Sequence, residues 1–406
     1  MPNTNRNLSR RKFITASAAG AAAFSVTPRG TAAGFQANSR ISIGVVGCGG
    51  RGSWIAGLFQ QHGGYQVAAA ADYFDDRVQA FGEKFHVEPA RRFTGLSCYQ
   101  RLLESKVDAM VIESPPYFHP AQAAAGVDAG VHVYLAKPIA VDVPGCQSVT
   151  ESSAKAAANK KCFLVDFQTR TDPFYQEAVT RVQSGAIGRI INGEACYFAG
   201  SPWLKQIEYV RTRGATAESR LRAWGIDRVL SGDVITEQNI HAIDVATWIL
   251  DAHPTSATGT GGLSSRPEGS CWDHFSAIFN FPNHVPVSFC SKQFGSGYDD
   301  ILCRIYGSEG DIETHYAGEV KIAGKSPYAG GNSPGLYRDG AARNIATFYD
   351  HVTQGDYSNS TTAPSVRSNL TTILGRMAAY QGGEVAWEEM MRAGEKWEFD
   401  HAGLQT

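Results

Sequence analysis

From residue 41 to 167 short apolar runs alternate with stretches that carry apolar residues at helical spacing, which predicts strands alternating with helices without any internal sequence repeat. Ile41-Ser-Ile-Gly-Val-Val46 opens the series, followed by helical spacing over 53–62. A second strand is predicted over Tyr65–Asp72, with helical spacing from Asp75 to Phe81. The pattern then predicts a helix over 97–105, a buried strand over 107–112, a helix over 120–129, a strand over 132–137, a long helix over 141–161 and a strand over 162–167. Strands spaced by helices imply a doubly wound parallel sheet of the Rossmann type, covered on both faces. Ligands bind outside the carboxyl ends of such strands.

Past residue 185 the period changes. A β-rich region starts over 187–198, and further strands are predicted at 255–261, 274–281, 285–293, 300–306, 311–316 and 319–323. Pro-Asn and Gly-Ser-Glu-Gly turns between them suit a largely antiparallel, open-faced sheet with helices on one face. The Gly- and Ser-rich stretch 324–341 reads as a loop, 341–353 and 366–380 as amphipathic helices, and 396–406 as a tail. Two domains are expected, an α/β dinucleotide-binding domain over 40–170 and an α+β domain over 171–395 for substrate binding and oligomerisation.

Composition is that of an ordinary globular protein, 43% hydrophobic and 19% charged over 406 residues, with no apolar run of membrane-spanning length. The net charge of −2 offers no basic field for nucleic acid. Residues 1–33 differ in kind: Arg10-Arg11 precedes the alanine-rich run 14–26, and Thr31-Ala-Ala33 follows as a small-residue cleavage site. That order predicts a Tat export signal and a periplasmic protein. The segment carries five cations and no acid, so its removal takes the net charge from −2 to −7. Eight cysteines without C-x-x-C or Cys/His ligand spacing read as small buried hydrophobes, so neither a metal site nor a disulfide framework is expected.

The chemistry begins at Gly47-x-Gly49-x-x-Gly52, which also contains Gly50 and Arg51 and sits between a strand and a helix. Gly47 permits a tight turn, Gly49 lets a pyrophosphate approach the backbone, and Gly52 lets helix and strand pack closely. The phosphates then meet the N–H groups and dipole of the helix N-terminus. Asp72 falls 20 residues past Gly52, where a carboxylate binds ribose hydroxyls and favours NAD. Arg77 nearby leaves NADP open, and an Asp72 that merely caps the following helix explains the strand end equally well.

Two further loops carry Ser114-Pro-Pro-Tyr-Phe-His119 and Ala136-Lys-Pro138. With the glycine loop they resemble the Gfo/Idh/MocA oxidoreductase family, whose Thr-Pro-Asn-x-x-His and Glu-Lys-Pro motifs fall in the same order. The resemblance implies a nicotinamide cofactor contacted by Ser114 and Pro115, a homodimer or homotetramer, and a Lys137 that hydrogen-bonds the reacting oxygen; Tyr117 and His119 either contact the nicotinamide or substrate or serve the structure of their loop. Ala136 departs from the family's glutamate, so whatever that carboxylate does for the lysine must be absent or supplied elsewhere.

One continuous helix is predicted over 232–250, with Glu237, His241 and Asp244 on one face. There His241 exchanges the substrate proton and Glu237, in place of the family's aspartate, orients it; Asp244 reads as structural. Trp203 and Trp224 suit a sugar ring, and Arg170 and Asn239 are further substrate-contact candidates. Arg211, Arg213, Arg220 and Arg222 either read a carboxylate or phosphate on that sugar or belong to a contact surface.

The expected activity is hydride transfer from a secondary hydroxyl of a sugar, sugar acid or cyclic polyol to a tightly bound nicotinamide cofactor that a second substrate regenerates in place. Two alternatives use the same residues: an NAD-dependent glycosidase working by transient oxidation and elimination, and a non-catalytic sugar- or NAD-binding protein, the latter motivated by Ala136.

Overall fold

The computed structural model describes residues 40–406, so the segment expected to be an export signal lies outside the described residues. The first sheet holds six parallel strands, β1 (Ile41–Val46), β2 (Tyr65–Asp72), β3 (Arg92–Thr94), β4 (Ala109–Ile112), β5 (His132–Ala136) and β6 (Phe163–Asp166). Their order is β3-β2-β1-β4-β5-β6, so strand addition reverses between β1 and β4. β4 and β6 are buried along their whole length, as expected where helices cover both faces. The short edge strand β3 escapes sequence reading because Arg-Phe-Thr is half-buried and carries no alternation.

The reversal opens a crevice beyond β1 and β4, and the glycine turn shapes it. Gly47 has φ +94°, and a Cβ there would lie 2.5 Å from the Glu113 carbonyl carbon. A Cβ on Gly52 would lie 1.8 Å from the Gly47 oxygen. The helix Gly50–His62 therefore starts hard against β1 because no side chain intervenes.

The second sheet has nine strands in the order β14-β13-β12-β11-β7-β10-β9-β8-β15. They are β7 (Ile190–Ala199), β8 (Ser256–Gly262), β9 (His274–Phe281), β10 (Val285–Gln293), β11 (Asp300–Gly307), β12 (Gly310–His315), β13 (Glu319–Gly324), β14 (Tyr328–Asn332) and β15 (Glu384–Ala386). All neighbours run antiparallel except β7 and β10. β9 and β10 alternate buried and exposed residues, so one face joins the core with the helices Ile240–Leu250 and Thr362–Gln381 and the other faces outward, with Ile278 exposed. β14 falls inside the stretch read as a loop. Gly330 and Gly331 give it no strand signal, yet a Cβ on Gly331 would lie 2.3 Å from the Phe174 ring, so the bare backbone is what lets that ring pack.

The C-terminal residues are docked, not trailing. Phe399 is buried beside Phe74, Leu221 and Leu230, the Leu96 N–H donates to the Gln405 carbonyl at 2.9 Å, and the Arg376 guanidinium stacks 3.6 Å from the Trp397 ring centroid.

Candidate active site

A cleft of about 540 Å³ runs from the glycine turn to the second sheet, lined by Gly47 to Gly52, Asp72, Arg77, Ser114, Pro115, His119, Lys137, Glu237 and His241, with Trp203 and Trp224 on its outer wall. A Cβ on Gly50 would meet nothing within 4 Å and one on Gly49 only an Arg77 nitrogen at 3.8 Å, so space stands open above the helix N-terminus, where no side chain caps the backbone. This cradle fits a pyrophosphate. At the end of β2 the Asp72 carboxylate accepts the Cys48 N–H at 2.8 Å and the Phe74 N–H at 3.0 Å, tying the glycine turn to the second strand. The Arg77 guanidinium lies 4.8 Å from the Phe74 ring centroid.

At the other end of the cleft the predicted helix over 232–250 is broken into Val234–Glu237 and Ile240–Leu250. Lys137 supplies the reason. Its Nζ donates to the Glu237 carbonyl at 2.6 Å, the oxygen that a continuous helix would give to the His241 N–H, and His241 N–H turns to the Gln238 carbonyl at 3.3 Å. A side chain inserted into the i→i−4 ladder is a recognised cause of such a break. The same Nζ lies 3.3 Å from Glu237 Oε1, with both side chains almost fully buried. Glu237 thus holds Lys137, and the expectation that it orients His241 is corrected. It also supplies the carboxylate that Ala136 lacks, from the second sheet's side of the cleft. Tyr197 backs it through Gln238: its hydroxyl donates to Gln238 Oε1 at 2.7 Å, and Gln238 Nε2 donates to Glu237 Oε2.

Arg51 is the second cation at this end. Its Nε lies 3.0 Å from Glu113, one terminal nitrogen donates to Asp166 at 2.7 Å and the other to the Tyr337 hydroxyl at 3.0 Å. The sequence marks Glu113 only as the first residue of a loop at the carboxyl end of a strand and does not single out Asp166; each sits at or just past such a strand end, the position that marks ligand-facing residues in these sheets. Burial pushes the Glu113 carboxyl up to about 7 despite the adjacent guanidinium.

Three predicted contacts lie elsewhere. Arg170 is locked against Asp244, its Nε at 3.1 Å and a terminal nitrogen at 2.8 Å, so it braces the helix Ile240–Leu250 and does not line the cleft. Asn239 is fully buried at the helix break and is absent from the lining. The Tyr117 hydroxyl accepts the Phe399 N–H at 3.3 Å and belongs to the docked tail, while its neighbour Phe118 lines the cleft. His119 braces two loops, with Nδ1 2.8 Å from the Pro138 carbonyl and Nε2 2.7 Å from the Ser114 carbonyl.

His241 lies in the wall with its ring centroid 5.2 Å from that of Tyr316, and its Nδ1 is buried without a partner. Burial, with the charges of Lys137 and Arg51 adding to it, holds the imidazole well below its ordinary pKa of 6.5. Burial also lowers Lys137 from 10.5, with Glu237 opposing. A neutral imidazole accepts a proton, and a base of lowered pKa keeps that capacity into acid; a lysine of lowered pKa loses its proton earlier as pH rises. The profile of kcat/KM against pH is therefore expected to place its acid limb below 6.5 and its alkaline limb below 10.5. An acid limb at the ordinary imidazole value would show that His241 does not sit in this environment while working.

Comparison with known proteins agrees with this geometry. Residues 41–167 match the oxidoreductase family with an NAD-binding Rossmann fold, and residues 175–313 match the GFO/IDH/MocA C-terminal domain. The chain is 29% identical to inositol 2-dehydrogenase 2 of Saccharopolyspora erythraea over 68% of this chain and 73% of that protein. The fold is shared with myo-inositol 2-dehydrogenase from Lactobacillus plantarum, at TM-score 0.67 and 18% identity over 86% of this chain and 99% of that one. It is shared too with an aldose-aldose oxidoreductase from Caulobacter crescentus, at TM-score 0.65 and 15% identity over 86% and 99%.

Proposed function

Because the chain belongs to the Gfo/Idh/MocA oxidoreductase family and carries its NAD-binding Rossmann domain, we propose that it oxidises a secondary hydroxyl of a sugar or cyclic polyol, using a tightly held NAD. The observation that carries this reading is the meeting of Lys137 and His241 in the wall of the cleft that begins at the glycine turn. NAD, when bound, supplies the hydride acceptor. Lys137, held by Glu237, donates a hydrogen bond to the reacting oxygen, and neutral His241 accepts the hydroxyl proton. Gly49 and Gly50 would admit the pyrophosphate, and Asp72 would hold the adenosine ribose hydroxyls. The inositol 2-dehydrogenase relative supports a polyol substrate. Ala136 gave a reason to expect a protein without turnover, and the Glu237 carboxylate beside Lys137 removes that reason.

Tight retention is supported by what covers the Asp72 end of the cleft. Trp203, Gln206, Leu221 and Trp224, from the helices Leu204–Arg213 and Ala217–Arg222 and their flanks, complete the wall there. Arg222 fastens the cover to the first sheet's domain: it pairs with both Asp76 oxygens at 2.9 and 2.6 Å and stacks 3.9 Å from the Phe74 ring centroid. The ion pair is exposed and worth little, and the stack on Phe74 adds to it. Arg222→Ala is expected to speed NAD release about tenfold at unchanged far-UV circular dichroism. An unchanged release rate would show that this cover does not retain the cofactor.

A cofactor held this way suits an exported enzyme that regenerates it with a second substrate and does not exchange it with solution. We propose Tat export on the twin-arginine segment, and a homodimer or homotetramer formed through the open face of the second sheet. Mass spectrometry of ligands released from native purified protein tests the cofactor claim: about one NAD per chain is expected. A protein that arrives empty and takes up no nicotinamide overturns it.

A further inference from the structure

We infer that the reacting end of the cleft selects an uncharged polyhydroxylic ligand and turns away sugar acids and sugar phosphates, an inference that rests on the carbohydrate reading above. The sequence leaves this open, since the arginines over 211–222 offer themselves as anion readers. The structure assigns those arginines elsewhere. Arg211 pairs with Glu208 and Glu268, Arg220 with Asp227 and Arg222 with Asp76, Arg213 lies over Tyr209, and none of the four lines the cleft.

The cations that do line it are Arg51, Arg77 and Lys137 among the described residues. Arg77 belongs to the Asp72 end, over Phe74. At the reacting end every nitrogen of the Arg51 guanidinium faces a partner, Glu113, Asp166 or the Tyr337 hydroxyl, and Lys137 faces the carboxylate and carbonyl of Glu237. Two positive charges meet Glu237, Asp166 and Glu113. Burial holds the Glu113 carboxyl near neutrality's pH, at about 7, so the local sum is zero when it is protonated and minus one when it is not. In neither state is a positive charge left over. An anionic ligand would lose its hydration against side chains that sum to neutral or negative, a cost no side chain there repays.

Apart from Arg51 Nε and the Glu113 oxygens, which face one another as an ion pair at 3.0 Å, the buried polar atoms without hydrogen-bond partners in this cleft are uncharged. At the reacting end these are the Tyr316 hydroxyl and the Nδ1 of neutral His241, both buried and unbonded, in residues that line the cleft. Hydroxyl groups, each both donor and acceptor, satisfy such atoms, whereas a carboxylate or phosphate offers acceptors alone. Charges paired and neutral groups unpaired is the pattern of a site built for a sugar's hydroxyls.

The test uses NAD-loaded protein and matched pairs: myo-inositol against its monophosphate, D-glucose against D-glucuronate, D-galactose against D-galacturonate. Binding is read by isothermal titration calorimetry and turnover by nicotinamide reduction. In every pair that responds, the uncharged member is expected to be favoured at least about tenfold in both readouts. Assayed at about pH 8.5, above the value of about 7 at which Glu113 titrates, Glu113→Gln removes one negative charge and is expected to narrow that ratio by threefold or more. Equal or better use of the anionic member overturns the inference and leaves the carbohydrate reading standing; no binding or turnover with any member overturns both. An unchanged ratio in a folded Glu113→Gln protein overturns the part assigned to Glu113.

Discussion

Lys137→Met is expected to lower kcat by about a thousandfold or more while NAD stays bound, because it removes the one donor that Glu237 holds ready for the reacting oxygen. The substitution also strands the buried Glu237 carboxylate, and breaking a buried pair from one side costs roughly 3–5 kcal/mol of stability. Chemistry and folding therefore have to be separated. In Lys137→Met/Glu237→Gln no uncompensated charge remains, so the melting temperature is expected to recover while kcat does not. Activity that returned with stability would show that Lys137 serves the fold and that the hydrogen bond to the reacting oxygen comes from another group.

Gly52→Ala is the second large effect, and it acts through the cofactor. Its Cβ would lie 1.8 Å from the Gly47 oxygen, a backbone atom that moves only if the whole turn moves. The turn carries Gly49 and Gly50, so the phosphate cradle opens when the helix Gly50–His62 is pushed off β1. NAD affinity is expected to fall by more than about a hundredfold, seen as loss of copurifying NAD and of the thermal stabilisation that NAD gives. Gly50→Ala is the control: its Cβ meets nothing within 4 Å, so the variant is expected to keep its fold and retain more NAD than Gly52→Ala. Equal retention of NAD by Gly52→Ala and the wild type would contradict the role given to the turn.

The first sheet was largely legible because its signals are local. Strand, glycine turn and helix follow one another within residues 41–62, and the structure places them as read. The second sheet's long strands were legible for the same reason, since β9 and β10 alternate cleanly. What escaped was set by contacts between distant segments. The sequence over 232–250 is a good helix by periodicity, and only Lys137, a hundred residues away, takes the carbonyl that breaks it. That one hydrogen bond turns Glu237 from a partner of His241 into the holder of Lys137. Arg170 was misplaced likewise, because its bidentate partner Asp244 is far along the chain. Glu113 and Asp166 carry no motif; their meaning comes from closing on Arg51.

Hydride transfer itself is the central claim, and isotope transfer tests it most directly. NAD-loaded protein is given a polyol deuterated at the carbon bearing the reacting hydroxyl, and the released cofactor is weighed. The account predicts one deuterium on the nicotinamide of the wild type and none in Lys137→Met over the same time. Loss of the polyol without deuterium on the cofactor would contradict it.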